Sequence, residues 1–197
     1  MRLVGRESEQ ALLDQALERS RTGGAQIVGI AGDAGVGKSR LCFELVERCA
    51  AQGIRVCHVG GTAHGASMPF FLLTEFLRTY LGIAEDADDQ QIRTRVAQRL
   101  CGDDLLEACV PLALEALGVQ KAPPGDDGGR SRRQLLEGLA HLLGRDARTG
   151  FTLVLVEDLH WLDSGSQMLV DALASAMPGS NATLVVNFRP PYARQWM

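Results

Sequence analysis

The sequence predicts an α/β fold in which helices cover both faces of a parallel sheet. An apolar, β-branched run at 26–31, a glycine-rich turn, a helical segment at 38–50 and a second apolar run at 54–59 follow one another along the chain. Such a β–loop–α–β unit is typical of parallel strands, because a crossover helix has to connect them. Two further apolar runs, at 151–156 and 182–188, extend the predicted sheet.

The first element is an amphipathic helix at 7–20, whose apolar side chains recur at helical spacing. They are Ala11, Leu12, Leu13, Ala16 and Leu17. Glycines at 23 and 24 end this helix, and the run at 26–31 follows. Its continuous apolar character predicts a strand that is buried on both faces.

The stretch 61–150 separates the second and third strands and is predicted to be a mostly helical insertion. Its first helix has apolar positions at Phe70, Leu73, Phe76, Leu77 and Tyr80. Further helices are predicted near 89–101, 104–117 and 131–147. Between the last two of these helices, residues 121–130 hold prolines, glycines and aspartates, which are typical of a surface loop. After the third strand, a last helix is predicted at 164–176.

The turn after the first strand carries the motif G-x-x-x-x-G-K-[ST] in full, as GDAGVGKS at 32–39. Glycines allow the backbone N–H groups to converge on phosphate oxygens, and the following helix presents its positive end. Lys38 is predicted to reach the β- and γ-phosphates, and the Ser39 hydroxyl to bind Mg²⁺. The motif therefore predicts nucleotide binding.

Two acids, Glu157 and Asp158, follow the third apolar run directly. Ligands of open α/β sheets gather at the carboxyl ends of the strands. Beside a phosphate loop, one acid can hold the metal and the other can polarise the attacking water. We assign Glu157 to the metal and Asp158 to the water, although the residue types alone also allow the reverse order.

Two other positions near these strand ends are candidates for the site. Arg189 ends the fourth strand, which we expect between the first and third, so that its guanidinium can sense the γ-phosphate. His160 and Trp161 follow the acids. Either the pair contacts the nucleotide or Trp161 is a buried cap on the sheet, and the sequence favours neither.

Composition excludes several classes of protein. The chain has 197 residues, 46% of them apolar and 22% charged, and a net charge of −4, which disfavours general nucleic-acid binding. Its five cysteines show no pattern of a disulfide framework or zinc site, and Cys42 and Cys49 share one predicted helix face. No apolar run is long enough for a membrane span, and the N-terminus does not resemble a secretory signal, so we expect a cytoplasmic protein.

Four segments together resemble the STAND branch of the AAA+ ATPases. They are 3–7 (LVGRE), the phosphate loop, 156–163 (VEDLHWLD) and 187–192 (NFRPPY). The chain is most similar to the bacterial ATPase domain found beside class III adenylate or guanylate cyclases and in large LuxR-type regulators. The resemblance implies a three-layer P-loop NTPase fold of the ASCE/AAA+ type, with strand order 1-4-3-2, the fifth strand missing and residues 1–197 as the ATPase core.

The resemblance also implies site residues for ATP or ADP and Mg²⁺. Glu157 corresponds to the Walker B metal acid, Asp158 to the water-orienting acid and Arg189 to the sensor arginine. Because Asp158 is shorter than the glutamate of many relatives, we expect slow hydrolysis. The residues expected to border the nucleotide are Val4, Gly5, Arg6, Gly32, Asp33, Ala34, Gly35, Val36, Gly37, Lys38, Ser39 and Arg40.

The family pattern continues into a lid domain. Only eight residues follow Arg189, too few for such a lid, so we expect a fragment of a larger regulator. The expected partners are the nucleotide, an output domain in the same longer chain and a second copy on ATP binding, with no membrane and no direct nucleic-acid contact. Alternatives are a non-hydrolysing nucleotide-bound interaction module, a replication-initiator-like ATPase and a small-molecule kinase.

Overall fold

The sheet has four parallel strands in the order β1-β4-β3-β2. The structure is a computed structural model and describes residues 5–61, 70–121, 129–192 and 196. The strands are β1 (Gln26–Ala31), β2 (Arg55–Gly60), β3 (Thr152–Glu157) and β4 (Ala182–Phe188). The predicted fold class, the strand order and the helical insertion between the second and third strands are therefore confirmed.

The helices follow the predicted pattern with two differences. They are α1 (Glu7–Arg21), α2 (Lys38–Ala51), α3 (Phe71–Leu81), α4 (Asp89–Leu100), α5 (Asp104–Glu107), α6 (Val110–Ala116), α7 (Gly129–Thr149) and α8 (Ser164–Ala176). The segment 104–117 forms two helices, because Pro111 suits the first turn of a new helix and not a helix interior. Helix α7 begins two residues before the predicted start, and residues 122–128 of the predicted loop lie outside the described part.

The core lies on both sides of the sheet. In β3, Leu153 and Leu155 pack against α1 and α2, whereas Val154 and Val156 face the layer that contains α3, α7 and α8. Side chains of one strand alternate between its two faces, so a strand covered on both faces is apolar throughout. Three layers result, with β3 and β4 at the centre.

Strand β1 differs from the sequence prediction. Half-buried and exposed residues alternate along it, and Ile27 is among the exposed apolar side chains. The prediction of a strand buried on both faces was wrong, because β1 occupies an edge of the four described strands and α1 and α2 cover it only in part.

The helical insertion is joined to the sheet by polar contacts around Asp146 of α7. This carboxylate accepts hydrogen bonds from Tyr80 of α3, at 3.1 Å, and from Arg55 at the start of β2. Arg99 of α4 donates to the same oxygen.

The five cysteines are free thiols, and all except Cys101 are buried. No helix in the described ranges is long and apolar enough to cross a membrane.

Candidate functional site

The phosphate loop connects the end of β1 to the start of α2. Gly35 and Gly37 have φ angles of 77° and 89°, which lie in the left-handed region that side-chain-bearing residues rarely adopt. Gly37 immediately precedes the first turn of α2, so the loop leads straight into the amino end of that helix. Gly35 and Gly37 thus occupy positions where the backbone requires glycine.

Lys38 extends across the loop. Its Nζ donates hydrogen bonds to the carbonyl oxygens of Gly32 and Asp33, each at 2.9 Å. The N–H of Gly32 donates to the carbonyl of Phe188 at the end of β4, at 3.3 Å. A positive charge is therefore held inside a loop that is itself attached to the centre of the sheet.

A cavity of about 250 Å³ lies beside the loop. Its walls come from α1, β1 and the start of α2, and they are mostly apolar; they include Leu12, Leu13, Val28, Ile30, Val36 and Leu41. Arg6 closes one side, where its Nη2 donates to the carbonyl of Val36 at 2.7 Å and Nη1 pairs with Glu9. The cavity has the apolar walls and few polar groups that are typical of small-molecule sites.

The remaining residues of the predicted nucleotide border have different positions. Gly5 has a left-handed backbone and donates its N–H to Glu7, and Val4 lies outside the described residues. Arg40 pairs with Glu44 one turn further along α2, at 2.8 Å, on the exposed side of that helix. Of Gly5, Arg6 and Arg40, Arg6 is therefore the one whose side chain bonds to the phosphate loop, through the Val36 carbonyl.

Glu157, the last residue of β3, has three polar side chains around it. Its Oε1 lies 2.8 Å from Nε2 of His58, and its Oε2 accepts from Nδ2 of Asn187 at 2.8 Å. Burial raises the pKa of this carboxyl, but the neighbouring His58, Ser39 and Asn187 side chains outweigh it and keep the pKa below its usual value. Glu157 is therefore ionised at neutral pH.

Asp158 begins a 3₁₀ turn that covers Leu159–Trp161. Its backbone is left-handed, with φ 55° and ψ 50°, a conformation that aspartate tolerates better than most residues. Its N–H donates to Oδ1 of Asn187 at 2.7 Å, while its side chain is 32% exposed. The two neighbouring acids thus differ: the first is bonded to several partners, and the second has the more exposed side chain.

Asn187 of β4 and His58 of β2 contact Glu157, and sequence reasoning missed both. Asn187 is fully buried and also donates to Sγ of Cys42, at 3.4 Å. A polar residue at the end of an apolar strand was the available signal for Asn187. For His58 the sequence carried no signal, because its contact depends on the pairing of β2 with β3.

The residues after the two acids divide between surface and interior. Trp161 is 38% exposed, so the alternative of a buried tryptophan cap on the sheet was wrong. The His160 side chain is only 16% exposed. Arg189 follows β4 and is exposed. Its positive charge, like that of Lys38, lowers the pKa of His160.

Residues 2–186 match a known protein family, described as AAA ATPase domain. The match covers nearly the whole chain. The chain belongs to the AAA ATPase domain family. It is also similar to an uncharacterized protein of Rhizobium meliloti (strain 1021), with 29% identity over 205 aligned residues. The alignment covers 99% of this chain and 19% of that protein, so the chain spans about a fifth of the relative's length.

Membership of the AAA ATPase family implies P-loop nucleotide binding and hydrolysis. AAA ATPase domains typically bind ATP with Mg²⁺, and the residues present fit both groups. The loop presents Lys38 and the amino end of α2 to a phosphate, and Ser39 and Glu157 bring oxygen ligands together, which Mg²⁺ prefers. Mg²⁺ usually keeps several waters, so two protein ligands are sufficient.

Proposed function

We propose that this AAA ATPase domain is an ATP-binding, slowly hydrolysing switch of the STAND type in a larger bacterial regulator. One observation carries the proposal: Ser39 of the phosphate loop lies beside the Glu157 carboxyl of β3 and lowers its pKa. The residue that follows the loop lysine is thereby next to the strand-end acid, as a shared metal site between them requires.

The proposed binding mode assigns the phosphates to the loop and the base to the cavity beside it. Backbone N–H groups of 32–39 and the amino end of α2, which includes Arg40, surround the phosphates, and Lys38 neutralises their charge. Val4, Gly5 and Arg6 border the adenine and ribose. The position of Arg6, bound to the Val36 carbonyl at the cavity wall, supports this assignment.

For hydrolysis, we assign Asp158 to the attacking water and Arg189 to the charge that develops on the phosphate. Ser39 and Glu157 would hold Mg²⁺, which supplies electrostatic stabilisation of the phosphate oxygens when bound. The fixed Glu157 suits a metal ligand, whereas the more exposed Asp158 carboxylate can orient a water molecule. The short aspartate is the reason to expect slow turnover.

In the proposed switch, ATP and ADP favour different arrangements of the domain and bias an output domain in the same longer chain. A ligand shifts such an equilibrium only through different affinities for the two states, which the γ-phosphate supplies through Arg189 and Asp158. Self-association on ATP binding and a cytoplasmic location belong to the same proposal. The small share of the Rhizobium meliloti protein that the chain spans is compatible with a regulator of several domains.

Calorimetric titration with Mg-ATP tests this function on the wild type, Lys38→Ala and Lys121→Ala. The chain contains two lysines, and Lys121 lies exposed after α6, so it is a matched control. We expect saturable binding to the wild type and to Lys121→Ala, and its loss in Lys38→Ala. Absence of binding by the folded wild type would overturn the proposal. Binding without turnover in the intact protein would favour the non-hydrolysing interaction module.

A further inference from the structure

The imidazole of His160 has two buried nitrogen atoms whose hydrogen-bonding capacity is unused. Both ring nitrogens are buried, and neither has a hydrogen-bond partner among the residues that the structure describes. Buried polar atoms are nearly always paired, so an imidazole in this condition needs an explanation. One explanation is that its partners come within reach only in another state of the site.

The groups around the ring are those of the proposed hydrolytic centre. Nδ1 of His160 lies 3.9 Å from Oδ1 of Asp158, which is too far for a hydrogen bond. The 3₁₀ turn packs against β4, which leads into Arg189. On its other side the ring contacts Trp161, with ring centroids 5.3 Å apart.

The backbone of the turn is held, so that the side chain is the part able to adjust. The N–H of Trp161 donates to the carbonyl of Asp158 at 2.8 Å, and Asp158 donates to Asn187. Gly61, the residue after β2, packs closely against this turn, because a Cβ on it would lie 2.8 Å from the Asp158 carbonyl oxygen. With this backbone in place, closing the 3.9 Å gap requires a change of side-chain torsion at His160 or Asp158.

The chemistry of a neutral imidazole matches its two charged neighbours. An ionised carboxylate only accepts hydrogen bonds and a guanidinium only donates them, whereas neutral histidine does one of each. Burial lowers the pKa of His160, Asp158 raises it, and Arg189 and Lys38 lower it further, with a net lowering that favours the neutral ring at pH 7.

We propose that His160 is a positioning residue that links Arg189 to Asp158 in the nucleotide-bound site. Its Nδ1–H donates to the Asp158 carboxylate, and Nε2 accepts from the Arg189 guanidinium. The link fixes the carboxylate that orients water and makes its position depend on the arginine that senses the γ-phosphate. The inference rests on the proposed function, because both neighbours act there.

Imidazole ¹⁵N spectra of the full chain test the link directly, with and without the non-hydrolysable analogue Mg-AMP-PNP. The His160 signals are assigned by their absence in His160→Asn. We expect the nucleotide to convert His160 to a single tautomer with the proton on Nδ1, and Asp158→Asn to change this signal. Spectra of His160 that respond neither to bound nucleotide nor to Asp158→Asn overturn the inference.

Turnover of substituted proteins supplies a second readout. His160→Phe keeps an aromatic ring beside Trp161 but loses both polar atoms, and we expect kcat to fall about 10-fold or more with KM for ATP little changed. In His160→Asn the amide nitrogen lies where Nδ1 was but nothing replaces Nε2, so kcat should fall less than in His160→Phe. Adding His160→Phe to Asp158→Asn should cost no further activity, because the two residues act together. His141→Asn, on α7 and bonded to Asp103, is the matched control.

The outcomes separate this inference from the proposed function. Failure of the wild type to bind Mg-AMP-PNP overturns both. Binding with an unchanged His160 spectrum, or equal losses of kcat in His160→Phe and His160→Asn, overturns the link alone, since the second result indicates a packing role. If the protein binds nucleotide but does not hydrolyse it, the tautomer of His160 alone tests the link between Asp158 and Arg189.

Discussion

Asn187 is the residue that joins the two strand-end acids. Its amide oxygen accepts from the backbone of Asp158, and its amide nitrogen donates to the Glu157 carboxylate. An amide can serve both because it carries a donor and an acceptor on one planar group. Since Asn187 is fully buried, water cannot replace these bonds when the side chain is removed.

We therefore expect Asn187→Ala to lower the free energy of unfolding by about 1–3 kcal/mol, the range for leaving buried polar partners unsatisfied. Urea denaturation measures the change. Asn181→Ala is the control, because Asn181 precedes β4 and its contact to Thr152 uses a backbone carbonyl. Equal stability of the two variants would contradict the role of the Asn187 amide.

Asp158→Asn tests the proposed division of roles between the acids. The variant keeps the shape of the side chain and removes its charge, so we expect ATP affinity to be retained. Turnover in the intact protein should fall about 10²-fold or more, as is usual when a group that handles a proton is lost. Asp86→Asn, on the surface after α3, controls for the change of net charge. Unchanged turnover would exclude Asp158 from this role.

At the scale of elements, Asp163 connects α8 to the start of α3. Its carboxylate caps α8 by accepting from the backbone N–H groups of Gly165 and Ser166, and it also accepts from the N–H of Phe70. Burial raises the pKa of Asp163, but these hydrogen bonds and that from the Ser166 hydroxyl prevail and lower it. The helix that follows the 3₁₀ turn therefore begins at a fixed charged residue.

Asp163→Ala should lower stability at pH 7 by about 1–2 kcal/mol, the usual cost of losing such a cap. Because the pKa is lower in the folded state, the carboxylate stabilises the fold above its unfolded pKa, near 3.8. That stabilisation is lost as the pH falls through the folded value.

Thermal unfolding of the wild type and of Asp163→Ala, measured across pH 2–7, tests this pH dependence of stability. The difference between wild type and Asp163→Ala should therefore shrink in acid. Asp163→Asn retains a capping acceptor and should lack the acid-dependent part. A difference between wild type and Asp163→Ala that stays constant down to the lowest pH would contradict the argument.

At the scale of the whole molecule, the candidate site is assembled where β1, β4 and β3 end at one edge of the sheet. The phosphate loop follows β1, Arg189 follows β4, and the acids follow β3. Ligand binding at this edge should stabilise the entire fold, because binding to the folded state alone shifts the unfolding equilibrium.

We expect Mg-ATP at 100 times its Kd to add about 2.7 kcal/mol to the stability of the wild type. For a domain of this size the melting temperature should rise by about 5–10 °C, measurable by thermal unfolding. Lys121→Ala should show the same rise and Lys38→Ala none. A wild type that melts at the same temperature with and without Mg-ATP would contradict the proposed site.

The α/β class, the strand positions and the phosphate loop were predictable from the amino-acid sequence, because these depend on local patterns. Apolar runs of strand length and glycines at fixed spacing favour a particular backbone conformation over a few residues, before distant parts of the chain make contact. The position of Glu157 and Asp158 at a strand end was predictable for the same reason, as both directly follow an apolar run.

Which distant side chains meet depends on the packing of the whole fold. His58, Asn187 and Ser39 all contact Glu157, because β2 and β4 flank β3 and the loop residue lies at the same edge of the sheet. The exposure of β1 and the burial of His160 depend in the same way on which elements pack against them. Burial and side-chain pairing are properties of neighbours in space, and a local pattern does not specify those neighbours.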